Sequence, residues 1–210
     1  MADVEDQQTE DLIRRAAKGD AVATEHLLAR YRGRLRQMVV VRLDPRLAAR
    51  LDPSDVVQEA FVEITRRLPE YLRTRPLAIY PWLRQITWEQ LMHLHVRHLA
   101  KKRTPLREDS WPAALSDASA VQLAERVAAV QGSPSRQAIR KEVQERVRRA
   151  LERLEPHHRE ILILRYLEQL SNQEIAAVLR IREGATRMRH LRALERLREL
   201  LGNEDGEVGP

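Results

Sequence analysis

Four groups of residues in this 210-residue chain have types and spacing suited to chemistry. The largest is a series of arginines, Arg182, Arg187, Arg189, Arg192, Arg196 and Arg198, strung along one stretch near the C-terminus. Guanidinium groups at such intervals on a helix neutralise phosphates and hydrogen-bond base edges. A second group, Asp55, Gln58, Glu59 and Glu63, makes an acidic and amide stripe on a predicted helix. It is either a solvated face or a docking surface for a basic partner. A third group interleaves Tyr80, Trp82 and Trp88 with Arg84, Arg97 and Lys101-Lys102-Arg103. Aromatic rings among cations suit single-stranded nucleic acid, whose bases stack while phosphates are neutralised. The alternative, weightier for Trp82, is that the rings are core. The fourth group is His93, His95 and His98, with His157-His158 weaker still. His93 is turned well away from His98 on a helix, and no Cys or carboxylate completes a metal site, so no metal is expected.

The elements that must position these residues are helices. Leu, Ala, Arg and Glu abound, and only 4% of residues are aromatic. Both features favour an all-α protein. Ser171 with Glu174 three residues later is a capping box before the apolar Ile175, Val178 and Leu179. A break at Arg180–Gly184 then leads into the arginine-bearing segment. Two short helices with a tight turn and a basic second member read as a helix-turn-helix, whose second helix enters a DNA major groove.

Upstream, residues 1–9 are polar and expected to be disordered. Leu12, Ile13, Ala16 and Ala17 predict one short helix, and Ala21 to Leu43 a second. Asp52-Pro53-Ser54-Asp55 is a helix start, with Asp52 as N-cap, and the helix is expected to end at Leu68. Pro69, Pro76 and Pro81 predict a loop over 69–81, with a new helix from Pro81-Trp82. Residues 104–138 are rich in Pro, Ser and Gly and predict a flexible linker in which 120–130 is transiently helical. Helices over 139–154 and from Pro156 follow, and an acidic tail from Gly202 is expected to fray. The expected organisation is therefore two small helical domains, 10–103 and 139–201, around the linker 104–138.

Charge agrees with a polyanionic partner. Residues 66–103 carry 9 basic and 2 acidic side chains, and 139–200 carry 15 and 10, whereas 1–30 carry 4 and 7. Two separated basic blocks predict two contacts with nucleic acid. With no Cys, disulfides, thiolate nucleophiles and Cys-ligated zinc are excluded. The N-terminus is acidic, unlike a signal peptide, and the longest apolar runs, Met38–Val41 and Ile161–Leu164, are too short to span a bilayer. A cytoplasmic protein with no membrane insertion is expected.

The order of the motifs is specific. Asp52-Pro53-Ser54-Asp55-Val56-Val57-Gln58-Glu59-Ala60-Phe61 precedes Trp82-Leu83-Arg84-Gln85-Ile86. After the linker come Leu154-Glu155-Pro156-His157-His158-Arg159-Glu160-Ile161-Leu162 and Leu170-Ser171-Asn172-Gln173-Glu174-Ile175-Ala176. This order resembles the extracytoplasmic-function (ECF) class of sigma-70 family factors, the promoter-specificity subunits of bacterial RNA polymerase. The likeness covers roughly residues 10–103 (region two) and 139–200 (region four). It implies a non-enzymatic transcription initiation factor needing no cofactor, with core RNA polymerase and promoter DNA as partners. An anti-sigma protein is a further partner it allows.

By the same likeness, Asp55, Gln58 and Glu59 would contact the β′ clamp helices, and region four would dock on the β flap. Tyr80, Trp82, Arg84, Trp88, Arg97 and Lys101 would line the side that opens the −10 element. Arg182, Arg187, Arg189 and Arg192 would meet the −35 element. The chain departs from the family at Glu89 and His93, where Asn and Asp are usual on the strand-opening helix. It also departs at Met188 and Leu191, where polar residues are usual, and at His190, where a core Leu is usual. Arg182 replaces the usual Ser cap, which weakens the helix start by ~1 kcal/mol. The rival readings are a helix-turn-helix regulator that binds duplex DNA without polymerase, a histidine-based metal hydrolase, and an adaptor making only protein contacts.

Overall fold

The structure is a computed structural model that describes the backbone of residues 2–48, 50–99, 119, 121–123, 125–127 and 137–205, with side chains described for 7–44, 46–48, 50–97, 119, 121–123, 125–127 and 145–202. Among these residues every regular element is helical. The chain folds as two compact units, Met1–Thr104 and Pro105–Pro210.

In the first unit α1 (Ala2–Ala16) packs on α2 (Ala21–Arg42). The expected disorder of residues 1–9 is thus corrected: the helix begins at Ala2 and Thr9 is buried. Gly19, at φ +85, makes the turn that only a residue without Cβ adopts cheaply. Asp20 then caps α2 by accepting from the Ala23 amide at 3.0 Å, and Arg15 holds the Asp20 carboxylate at 2.8 Å. The α2 residues Leu27, Leu28, Tyr31, Leu35, Met38 and Val39 are buried, as their three- and four-residue spacing predicts. The short α3 (Pro45–Ala48) leads to α4 (Pro53–Thr74), and α5 (Ile79–Leu99) completes the unit. α2, α4 and α5 pack pairwise around Leu35, Met38, Ile64, Leu83, Ile86 and Leu91.

The loop expected over 69–81 shrinks to 75–78. α4 runs through Pro69, which lies on the solvent face, so the carbonyl it leaves without a partner can be hydrated. Arg75 ends α4 in a left-handed conformation, φ 40, and its amide returns to the Tyr71 carbonyl at 2.7 Å. Pro81 falls within the first turn of α5, where a missing N–H costs nothing.

In the second unit α6 (Gln137–Arg153), α7 (Pro156–Leu162), a π-helical turn (Ile163–Leu167), α8 (Asn172–Leu179) and α9 (Glu183–Asp205) follow in order. α9 packs on α6, α7 and α8. Arg159 of α7 donates to the carbonyls of Glu152 and Leu154, at 2.6 and 2.9 Å, and so caps the end of α6. The stretch expected as linker contributes to this core. Ser119, 121–123 and 125–127 are helical, Leu123 and Val127 are buried, and the Arg126 guanidinium donates to the Tyr166 carbonyl. α9 extends to Asp205, so the expected fraying at Gly202 is corrected for those residues; 206–210 lie outside the described residues.

Candidate nucleic-acid interface

The α8–α9 pair is assembled by local signals. Ser171 Oγ accepts from the Glu174 amide at 3.1 Å, while the Glu174 carboxylate accepts from the Ser171 amide at 2.8 Å, so both halves of the capping box form. Arg180, left-handed at φ 53, closes α8, and the Ile181 amide returns to the Ala176 carbonyl at 3.0 Å. The break spans Arg180–Arg182, shorter than expected, because Glu183 and Gly184 already belong to α9. Such a tight turn between two packed helices is helix-turn-helix geometry, with α9 as the second helix.

α9 buries one stripe and presents the rest. Thr186, Ala193, Leu194, Leu197 and Leu200 face the core. His190, in the core register, is half-buried, and its Nε2 shares a 3.1 Å hydrogen bond with Tyr166 Oη. Tyr166 belongs to the π-helical turn, so this bond ties that turn to the middle of α9. Burial, and secondarily Arg165, pushes the His190 imidazole below its usual pKa, which favours its neutral form.

Arg182, Arg187 and Arg192 are exposed, and Arg189 is half-buried. Arg187 meets Glu183 at 2.8 Å, an exposed i,i+4 pair worth little and easily exchanged for a phosphate. Arg182, Arg189 and Arg192 have no carboxylate partner among the described residues. Between these arginines Met188 and Leu191 are each 51% exposed.

Glu155, His157 and His158 bring possible ligand atoms within 4.8 Å of one another at the start of α7. Arg189 and Arg192 act on His158, whose pKa is lowered first by burial and then by His157. A cation there would face that positive charge. Of the histidines weighed for a metal on α5, His93 is exposed and His95 buried, and His98's side chain lies outside the described ones.

The first unit distributes its candidate residues differently. Asp55, Gln58 and Glu59 are exposed on the outer face of α4, as expected. Asp52 caps this helix by accepting from the Ser54 amide at 2.6 Å. Glu63 does not join the free stripe. Arg66 and Arg67 both hydrogen-bond its carboxylate and hold it down to about 2, and Arg67 also reaches Glu89 of α5 at 3.0 Å. Spacing alone missed Val62, which is 74% exposed on the same face, one turn beyond Gln58 and Glu59. A lone large apolar residue opposite the buried stripe is the signal that finds it.

The aromatic group needs correction as a set of contact residues. Tyr80 is 2% exposed, Trp82 9% and Arg84 4%. Trp82 stacks on Tyr71 with ring centroids 4.2 Å apart, and Tyr80 stacks on Tyr31 at 5.9 Å. Arg34 lies 3.6 Å over the Tyr80 ring. These rings are held in place by their own unit, since α5 is covered by both α2 and α4. Trp88 is half-buried, Arg97 is exposed, and Lys101 lies outside the described residues.

Residues 144–197, which hold this helix-turn-helix, match the family model described as sigma-70, region 4. The ECF RNA polymerase sigma-E factor of Escherichia coli strain K12 is 32% identical over 186 residues, covering 88% of this chain and 89% of that protein. The chain belongs to the ECF sigma factors of the sigma-70 family. The RNA polymerase sigma-H factor of Pseudomonas aeruginosa is 28% identical over 196 residues, 93% of this chain and 94% of its own length. The RNA polymerase sigma factor CarQ of Myxococcus xanthus is 48% identical over 59 residues, 28% of this chain and 34% of its own. This ECF factor is accordingly a transcription-initiation sigma factor whose region 4 is the α6–α9 unit. No helix among the described residues is long and apolar enough to cross a membrane.

Proposed function

We propose that this sigma factor binds core RNA polymerase and directs it to promoters by two DNA contacts, α9 reading the −35 element and the α5 side of the first unit engaging the opened −10 element. The observation that carries the reading is the start of α9: Arg182 just before it and Arg187 and Arg192 on it are exposed around an outward apolar pair, Arg189 is half-buried, and the Tyr166–His190 bond holds the helix in place. Arg182, Arg187, Arg189 and Arg192 contact phosphates and base edges, which respectively set register and sequence. On the −10 side Trp88, Arg97 and Lys101 make the contacts, while Tyr80, Trp82 and Arg84 support them from the core. No covalent step is involved. Melting costs unstacking, and contacts to the separated strand and to polymerase offset it.

The stripe Asp55, Gln58 and Glu59, continued by Val62 one turn on, docks on the β′ clamp helices, and the second unit docks on the β flap. An exposed apolar side chain beside polar and charged neighbours suits such a surface. An anti-sigma protein able to silence this factor would have to cover the α4 stripe and the α9 arginines. The discriminating measurement is affinity for core polymerase, because a stand-alone regulator has none. Asp55→Ala with Glu59→Ala is expected to weaken that affinity by on the order of tenfold with helicity unchanged. Unchanged affinity overturns the clamp assignment, and no affinity in the parent protein overturns the sigma reading in favour of the regulator.

A further inference from the structure

Met188 and Leu191 are each 51% exposed, although α9 already buries a complete stripe of Thr186, Ala193, Leu194, Leu197 and Leu200. At 100° per residue, Met188 lies almost opposite that stripe, and Gly184 and Leu191 lie on the same outward side. Space in front of Gly184 is open, with nothing within 4 Å of where a Cβ would stand. The outward face of the first two turns is therefore small, then apolar, and edged by Arg187 on one flank and Arg192 on the other. Two side chains are too small a patch for a stable protein interface. The arginines that edge it select an occupant that is itself anionic. A DNA major groove combines phosphate rims with a floor whose one apolar group is the C5-methyl of thymine.

We propose that Met188 and Leu191 are specificity-determining residues that read thymine methyl groups in the −35 element. The proposal rests on the assignment of α9 to the −35 element. Residues three apart on a helix are about 4.5 Å apart along its axis, and base pairs stack at about 3.4 Å. The two side chains therefore meet methyls one or two base steps apart. Gly184 and Ala185 bring the backbone near enough for Met188 to reach the groove floor, while Arg187 and Arg192 hold the rims.

The test uses the chain bound to core polymerase. A −35 sequence is selected from random duplexes, and each of its thymines is then replaced by deoxyuridine, which deletes the methyl and keeps the hydrogen-bonding pattern. Burying one methyl is worth about a fourfold change in affinity. Two thymines, one or two steps apart, are expected to show a penalty of about that size. Met188→Ser is expected to abolish one penalty and Leu191→Ser the other, with both variants melting within a few degrees of the parent. A selected site lacking such thymines, no deoxyuridine penalty in the parent, or penalties that survive in both variants overturns the proposal. Variants that melt far below the parent also overturn it, because the residues are then core. If the parent complex selects no −35 sequence at all, the −35 assignment itself fails. A clear selection without methyl sensitivity overturns the methyl reading alone.

Discussion

The first half of α5 turns its rings and Arg84 inward, whereas the start of α9 turns most of its arginines out. In the first, Trp82 stacks on Tyr71, Tyr80 on Tyr31, and Arg34 lies over Tyr80, with Arg84 buried beside them. In the second, Arg187 and Arg192 of α9, and Arg182 just before it, are exposed around Met188 and Leu191. Helix surroundings account for the difference. α5 is packed by both α2 and α4, so few of its positions can face water. α9 meets its neighbours along one stripe, and the rest of its surface is open. Rings and cations of similar type are thus core on the first half of α5, while the arginines of α9 are largely on the surface.

The sharpest way to break that contrast is to truncate one residue of each kind. Trp82→Ala is expected to cost about 3–5 kcal/mol, because it empties a stacked core site. Met188→Ala should stay within about 0.5 kcal/mol. Urea unfolding of the two variants measures both. A Trp82→Ala protein as stable as the parent would return that ring to the list of DNA contacts.

The second unit has its own local start signal in Ser171 and Glu174. Ser171→Ala removes one half of the capping box and is expected to cost about 1 kcal/mol, read as a lowered melting transition. Promoter affinity should fall with it if α8 positions α9.

Each unit also withdraws a histidine from water, His95 fully and His190 in part, and pH sharpens the comparison. His95 and His190 are both pushed below the usual 6.5, in each case chiefly by burial. The unfolded chain then takes up protons that the folded chain does not, so stability rises with pH through this range. It is full above about 6.5 and is lost as the pH falls toward the lowered folded values. Glu63, held down to about 2, keeps its charge through that window and does not blur it. Urea midpoints at pH 7.5 and 5.5 are expected to differ less in His95→Gln and in His190→Leu than in the parent. Equal differences would mean that neither histidine is protected from protons.

The smallest effect belongs to the surface ion pairs. Arg66→Ala removes an exposed partner of Glu63 while Arg67 still holds that carboxylate, and the change in stability should be below about 0.5 kcal/mol.

Short-range signals on the chain determined the all-helical class, the Asp52 and Ser171 caps, the core faces of α2 and α4, and the exposure of Asp55, Gln58 and Glu59. They did so because hydrogen-bonding caps and three-to-four periodicity act within a few residues. The order of motifs likewise placed the chain in its family. Three points needed tertiary structure. α1 begins at Ala2 because α2 offers its apolar side a surface to cover, which a polar N-terminus does not announce. Pro69 is accepted inside α4 because the packing of Leu68 and Tyr71 turns it to solvent. The inward rings of α5 were the third, since a helix rich in apolar residues shows no preferred face until its neighbours are known. The sequence carried the types of the residues proposed to meet DNA, and only packing decided which of them water can reach.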